Sequence, residues 1–344
     1  MTKITVIGNE GSGKTTLASK LGKKGAVSDI VTYEFSKSGE VLTIIDPAGY
    51  PKSIKPLLTA LHLSDIALVC IPPEGPDIYA GECILSLDLL NYRHGIFVLT
   101  KSDTTYSYAQ DELKDKIKKI VAGTTLEEWD YIEVSATEHE GMNELRDMIF
   151  TIGKKVDSEH RELDSQSPRV VIDQVFNVTG IGCVALGVVK QGSINIKDKL
   201  SVFPTSKEIE IRSIQIHDED KKQAFTGDRV GLALKNIQSK EIERGYIISE
   251  KELVDTGFNL KCRISRFSKK INLFDVLHLF SGIQSSPVRV ERIEINDTEV
   301  DSADPGSECT LHLAGEKEIA YSTQDRFIIV NLDEKQRFSG YGFP

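Results

Sequence analysis

Eight residues near the N-terminus, Gly8-Asn9-Glu10-Gly11-Ser12-Gly13-Lys14-Thr15, set three glycines, a lysine and a hydroxyl at a fixed spacing. Glycines at those places let the backbone curl until successive N–H groups converge on one point, and the lysine and hydroxyl add a cation and a metal ligand. That is a cradle for phosphate. An apolar run, Ile4-Thr5-Val6-Ile7, precedes it, and Thr16-Leu17-Ala18-Ser19-Lys20-Leu21 follows as the first turns of a helix whose dipole adds positive potential. Gly8 through Thr16 are expected to line the phosphates, with Lys14 bridging the β- and γ-groups and Thr15 ligating Mg2+. A glycine-rich turn with a chance lysine would explain neither the full spacing nor the strand–loop–helix context.

Three further clusters follow apolar strands. In Asp46-Pro47-Ala48-Gly49-Tyr50, Asp46 is placed to hold the Mg2+ shell through water, and Gly49 to offer its N–H to a γ-phosphate. Thr32 is the candidate for a threonine that reaches Mg2+ in the triphosphate state; the alternative is an ordinary residue opening the strand Val31-Thr32-Tyr33-Glu34-Phe35. In Thr100-Lys101-Ser102-Asp103, Asp103 can accept from the N1–H and exocyclic amine of guanine, whereas adenine would leave the carboxylate unpaired. Lys101 can cover the base plane with its methylene stem, and Ser135-Ala136 can close the site, with the Ala136 N–H meeting the guanine O6. The nucleotide expected is therefore GTP or GDP, not ATP.

These loops need strands to carry them. Residues 3–155 alternate short apolar runs with amphipathic stretches, the pattern of a mostly parallel sheet with helices on both faces, and 1–156 is the expected extent of that domain. Residues 157–168 are poor in apolar side chains and end in Pro168, which reads as a linker. Beyond it, short strands with glycines at regular intervals predict a barrel or sandwich, and a break near Asp255-Thr256-Gly257 divides the remainder into 169–253 and 254–344.

A net charge of −10 argues against holding DNA or other nucleic acid mainly by a broad basic surface. Cys70, Cys83, Cys183, Cys262 and Cys309 lack metal or disulfide spacing and read as small buried hydrophobes, and Trp129 reads as a packing residue. No signal-peptide pattern opens the chain and no run approaches the roughly 18–20 apolar residues of a membrane span, so a cytoplasmic protein away from membranes is expected.

The ordered clusters, together with Asp173 to Gly192 and Gly227 to Gly245, make the chain resemble the translational GTPases of the elongation factor Tu/SelB family, above all archaeal SelB-like factors. The resemblance implies an α/β P-loop GTPase domain followed by two small β-barrel domains. It further implies GTP hydrolysis with Mg2+, a monomer, and aminoacyl-tRNA and the ribosome as partners. The family pattern is departed from in three places: Gly11-Ser12 replaces Asp-His, Thr100 replaces Asn, and Tyr50 stands where a histidine orients the attacking water. A phenol is a poor base at neutral pH, which leaves Tyr50 as a water-positioning candidate and implies slow hydrolysis. The interval from Leu21 to Val41 implies a short first switch, and with the sequence ending at Pro344 the additional C-terminal domain of SelB proteins is not expected. Two other readings use the same architecture: a regulatory GTP/GDP switch that docks a protein or ribosome, and the GTPase subunit of sulfate activation.

Overall fold

The computed structural model describes residues 2–27, 30–37 and 40–344, in two compact units, Met1–Asp157 and Ser158–Pro344. The first unit runs β1 (Lys3–Ile7), α1 (Lys14–Leu21), β2 (Lys23–Val27), β3 (Val31–Lys37), β4 (Glu40–Asp46), α2 (Lys55–Leu63), β5 (Ile66–Ile71), α3 (Ile78–Leu89), β6 (Gly95–Thr100), α4 (Ser107–Val121), β7 (Asp130–Val134) and α5 (Met142–Leu163). Its sheet has the order β2-β3-β4-β1-β5-β6-β7, parallel from β4 to β7 and antiparallel through β2 and β3.

The central strands are uniformly apolar because both faces are covered. Ile4 and Val6 of β1 pack with Leu17 and Leu21 of α1 and with Leu145 and Ile149 of α5. Residues of the opposite parity, among them Ile7 and Val69, are equally buried, with α2 packed on β1 and α3 on β5.

One local expectation is corrected and one alternative is met. Residues 23–27 and 31–37, within the interval read as a short first switch, form the antiparallel pair β2–β3, so Thr32 is a strand residue opposite Ile45, in line with its alternative reading. The stretch read as a linker from residue 157 is helical as far as Leu163. Helix α5 there is held by backbone hydrogen bonding and by polar contacts a hydropathy pattern does not register, such as the Thr2 hydroxyl donating to Asp157.

The second unit contains two closed six-stranded antiparallel barrels. In the first, strands 199–203, 247–249, 169–178, 182–191, 229–235 and 207–216 follow one another in space, and 207–216 pairs back onto 199–203. In the second the order is 276–281, 327–330, 338–343, 253–264, 308–321 and 284–295, closed by pairing of the last with the first. Closure removes exposed strand edges, and each barrel has its own apolar core. Between them Arg169 grips two carboxylates, with Nε 2.8 Å from Glu252 Oε1 and Nη1 2.7 Å from Asp325 Oδ1.

Candidate nucleotide-binding site

All the candidate loops leave the carboxyl ends of parallel strands, where open α/β sheets place their ligand crevices. Gly8 follows β1, Asp46 ends β4, Lys101 follows β6 and Ser135 follows β7. Because Thr100 and Val134 are register partners, the last two loops emerge side by side.

The Gly8–Thr15 loop has the shape its glycines allow. Gly8 sits at φ 152°, and a Cβ there would lie 2.5 Å from the Cys70 carbonyl oxygen. Gly13, at φ 84°, turns the chain into α1 and leaves the helix start with no side-chain cap. Asn9 Oδ1 and Ser12 Oγ are buried with no hydrogen-bond partner among the described residues. The Lys14 ammonium donates to the Asn9 carbonyl oxygen at 3.0 Å, a neutral acceptor. A buried cation, the Ser12 hydroxyl with a proton to donate and an uncapped helix start together favour an anion.

The Thr15 hydroxyl donates to Asp46 Oδ2 at 2.7 Å, joining the start of α1 to the end of β4. Asp46 is fully buried, and its Oδ1 has no partner among the described residues. Burial pushes its carboxyl above the usual range, against the opposing effects of the Thr15 hydroxyl, Lys14 and Lys24. A hydroxyl beside a carboxylate with a free oxygen is a donor set for a hard divalent cation, so the residues present fit Mg2+. Thr32 is adjacent to Val31, the β3 partner of Asp46. Gly49 lies half-buried in a tight turn in which the Tyr50 N–H donates to the Pro47 carbonyl at 3.0 Å.

On the base side, Lys101 adopts a left-handed backbone, φ 55°, which starts the 3-10 turn Ser102–Thr104 and leaves Asp103 exposed. Ser135 is buried, its Oγ 3.1 Å from Thr137 Oγ1 and accepting from the Glu138 N–H, while Ala136 is half-buried. Glu10, Thr15 and Thr16 are exposed along the mouth of the cradle. Thr100, which stands where the family has Asn, donates its hydroxyl to the Ser12 carbonyl at 2.6 Å.

Tyr50, the water-positioning candidate, is buried, with the hydroxyl 2.7 Å from the Tyr79 carbonyl and 3.1 Å from Glu82 Oε2, both on α3. Burial, with Cys83 and Glu82 beside it, holds the phenol far above its ordinary range. Burial also pushes the neighbouring Cys83 thiol up to about 12, against smaller opposing effects from the Tyr50 hydroxyl, Lys14 and the Gly8 N–H. Sequence reasoning missed Tyr79 and Glu82, and gave Cys83 only as a small buried hydrophobe, which it is. The available signal was Glu82 itself, the one charged residue in the largely apolar stretch Ala80–Leu87, which the structure buries fully.

The model of elongation factor Tu domain 2 matches residues 182–249, which lie in the first barrel. An uncharacterised protein of Methanocaldococcus jannaschii is 32% identical over 97% of this chain and 96% of its own length. The selenocysteine-specific elongation factor of the same organism is 27% identical over 93% of this chain and 71% of its own. The crystal structure of SelB from Methanococcus maripaludis with the GTP analogue GPPNHP superposes with a TM-score of 0.84 at 26% identity, covering 99% of this chain and 78% of that one.

A P-loop domain followed by two closed barrels is the architecture of a translational GTPase. The chain belongs to the elongation factor Tu/SelB family of these proteins. Among the described residues no helix is long and apolar enough to cross a membrane.

Proposed function

We propose that the chain is a SelB-like elongation factor that binds GTP or GDP with Mg2+ in this cradle and carries aminoacyl-tRNA to the ribosome in its GTP form. The observation behind the nucleotide reading is the meeting of Thr15 and Asp46 at 2.7 Å, beside Lys14 and with the other Asp46 oxygen without a partner among the described residues. Gly8 through Thr16 would wrap the phosphates, Gly49 would donate to the γ-group, and Lys101, Asp103, Ser135 and Ala136 would surround the base. Thr15, and Asp46 through water, would hold the ion, with Thr32 as a further ligand. Bound Mg2+ supplies positive charge against the β- and γ-phosphate oxygens. The G domain is proposed to span 1–156 and the barrels 169–253 and 254–344, in a cytoplasmic monomer.

Hydrolysis is proposed to be slow. Tyr50 occupies the histidine's place in the chain, and its hydroxyl is committed to α3 rather than to water. Single-turnover hydrolysis with and without ribosomes tests this: slow turnover that rises in Tyr50→His supports it, and fast wild-type turnover contradicts it. The same buried hydroxyl favours a second reading, a nucleotide switch that docks a protein or ribosome with little hydrolysis. GTP-dependent protection of aminoacyl-tRNA from nuclease separates the two, since only the elongation factor requires it.

A further inference from the structure

The turn Asp46-Pro47-Ala48-Gly49-Tyr50 joins two groups with opposite demands. Gly49 is the residue proposed to meet the γ-phosphate, and the next residue, Tyr50, is moored elsewhere. Its hydroxyl donates to the Tyr79 carbonyl at 2.7 Å and lies 3.1 Å from the Glu82 carboxylate, and its ring meets the Tyr79 ring edge-on with centroids 6.4 Å apart. All of these partners are in the first two turns of α3, whose start is fixed by Asp77 accepting from the Tyr79 and Ala80 N–H groups. Tyr50 is 4% exposed and Glu82 fully buried, so water does not compete for these contacts. Hydrogen bonds to a buried, charged acceptor are among the stronger ones a side chain makes.

The turn itself is short and stiff. The Tyr50 N–H is bonded to the Pro47 carbonyl and the Ser53 N–H to the Gly49 carbonyl, each at 3.0 Å. Gly49 therefore cannot shift without dragging the Tyr50 backbone, and with it a hydroxyl seated in α3. Helix α3 also reaches the cradle: Cys83, next to Glu82, feels both the Tyr50 hydroxyl and the N–H of Gly8. A single helix thus holds the γ-phosphate turn and abuts the first residue of the phosphate loop.

We propose that the Tyr50 hydroxyl and the Glu82 carboxylate form a latch that moors the Gly49 turn to α3, so that GTP, but not GDP, must work against it on binding. The inference rests on the guanine-nucleotide reading of the site. Only GTP carries the γ-phosphate that draws on Gly49, and a ligand shifts an equilibrium only by its differential interaction with the two states. Glu82 and Tyr50 are here positioning residues that set the preference between the two nucleotides. They touch neither.

The test measures GTP and GDP affinities, in Mg2+, for the full chain as wild type, Tyr50→Phe and Glu82→Gln. Tyr50→Phe keeps the ring and its packing and removes the hydroxyl; it is expected to bind GTP about tenfold more tightly, the factor equivalent to roughly 1.4 kcal/mol, with GDP affinity unchanged. Glu82→Gln keeps an acceptor but removes its charge, and its GTP affinity should fall between the two. Equal GTP affinity in all three proteins, or changes that follow GTP and GDP alike, would overturn the latch while leaving the nucleotide site standing. Failure of the wild type to bind either nucleotide would remove the site and the latch together. Far-UV circular dichroism and melting curves on the same samples distinguish a lost fold from a lost latch.

Discussion

The Thr100 hydroxyl reaches across from the end of β6 and donates to the Ser12 carbonyl in the phosphate loop at 2.6 Å. The base loop and the phosphate loop are thereby tied by a buried hydrogen bond from a hydroxyl that sits one bond nearer the backbone than the polar atoms of the family's asparagine. Its effect should be on both nucleotides equally, because it sets the distance between two halves of one site.

Thr100→Val, which keeps the shape and removes the donor, leaves the Ser12 carbonyl unsatisfied. Such a loss costs about 1–3 kcal/mol. Titration calorimetry should show GTP and GDP both weakened by about tenfold or more, whereas Thr100→Ser should remain near wild type. Selective loss of one nucleotide would contradict the role of a tie.

Trp129, the only tryptophan in the chain, is packed against Gly95 and Phe97, with the Phe97 ring centroid 5.7 Å away. A Cβ on Gly95 would fall 2.1 Å from Trp129 Cζ3. Gly95→Ala must therefore displace the indole, and overpacking of this kind costs about 1–3 kcal/mol. Urea unfolding should show the loss, and the native tryptophan emission should shift to longer wavelength as the ring is pushed from its site. An unshifted spectrum with wild-type stability would show that the strand end moves aside at no cost.

The parts of the fold that were legible in the sequence are those fixed by local physics. Runs such as Ile66–Ile71 announce strands buried on both faces, and the glycine–lysine spacing of residues 8–15 announces a phosphate loop. The edge strand Lys23–Val27 was not legible, because Lys-Lys-Gly-Ala-Val has neither alternation nor β-branched density and is held in place by pairing with β3. The strand pairing inside the barrels was equally hidden, since much of it joins partners remote in sequence, such as Phe203 with Ile247. At the site, the chain position of Tyr50 was readable and its direction was not. A side chain's rotamer is chosen by what surrounds it, and here a carbonyl and a carboxylate on α3, some thirty residues away, claim the hydroxyl.

The two carboxylates on Arg169 should titrate in opposite senses. Burial would raise Asp325, but hydrogen bonds and charge from Arg169, with help from Ser322, bring it below the usual range. At Glu252 burial outweighs Arg169 and the carboxyl stands above that range. Asp325 thus contributes stability that is complete above its unfolded pKa and is lost as pH falls through its lower folded value. Ionised Glu252 costs stability, and the cost is relieved as pH falls through its raised value toward the unfolded one. On acidification from neutral, Glu252 is protonated first and leaves a one-to-one pair.

Urea unfolding across that range should accordingly find Glu252→Gln close to wild type, Asp325→Asn weaker at neutral pH, and Arg169→Met lowered by about 3–5 kcal/mol because a buried carboxylate and a partly buried one lose their cation. A larger loss for Glu252→Gln than for Asp325→Asn would reverse the assignment.

The central claim is that this is a guanine-nucleotide site, and it is tested most directly by calorimetric titration of the wild-type chain with GTP, GDP, ITP and ATP in Mg2+. Asp103 pairing with N1–H and the exocyclic amine predicts tight GTP and GDP, weaker ITP, which lacks the amine, and ATP weaker by at least about a hundredfold. Equal binding of ATP and GTP, or binding of none of the four, would contradict it.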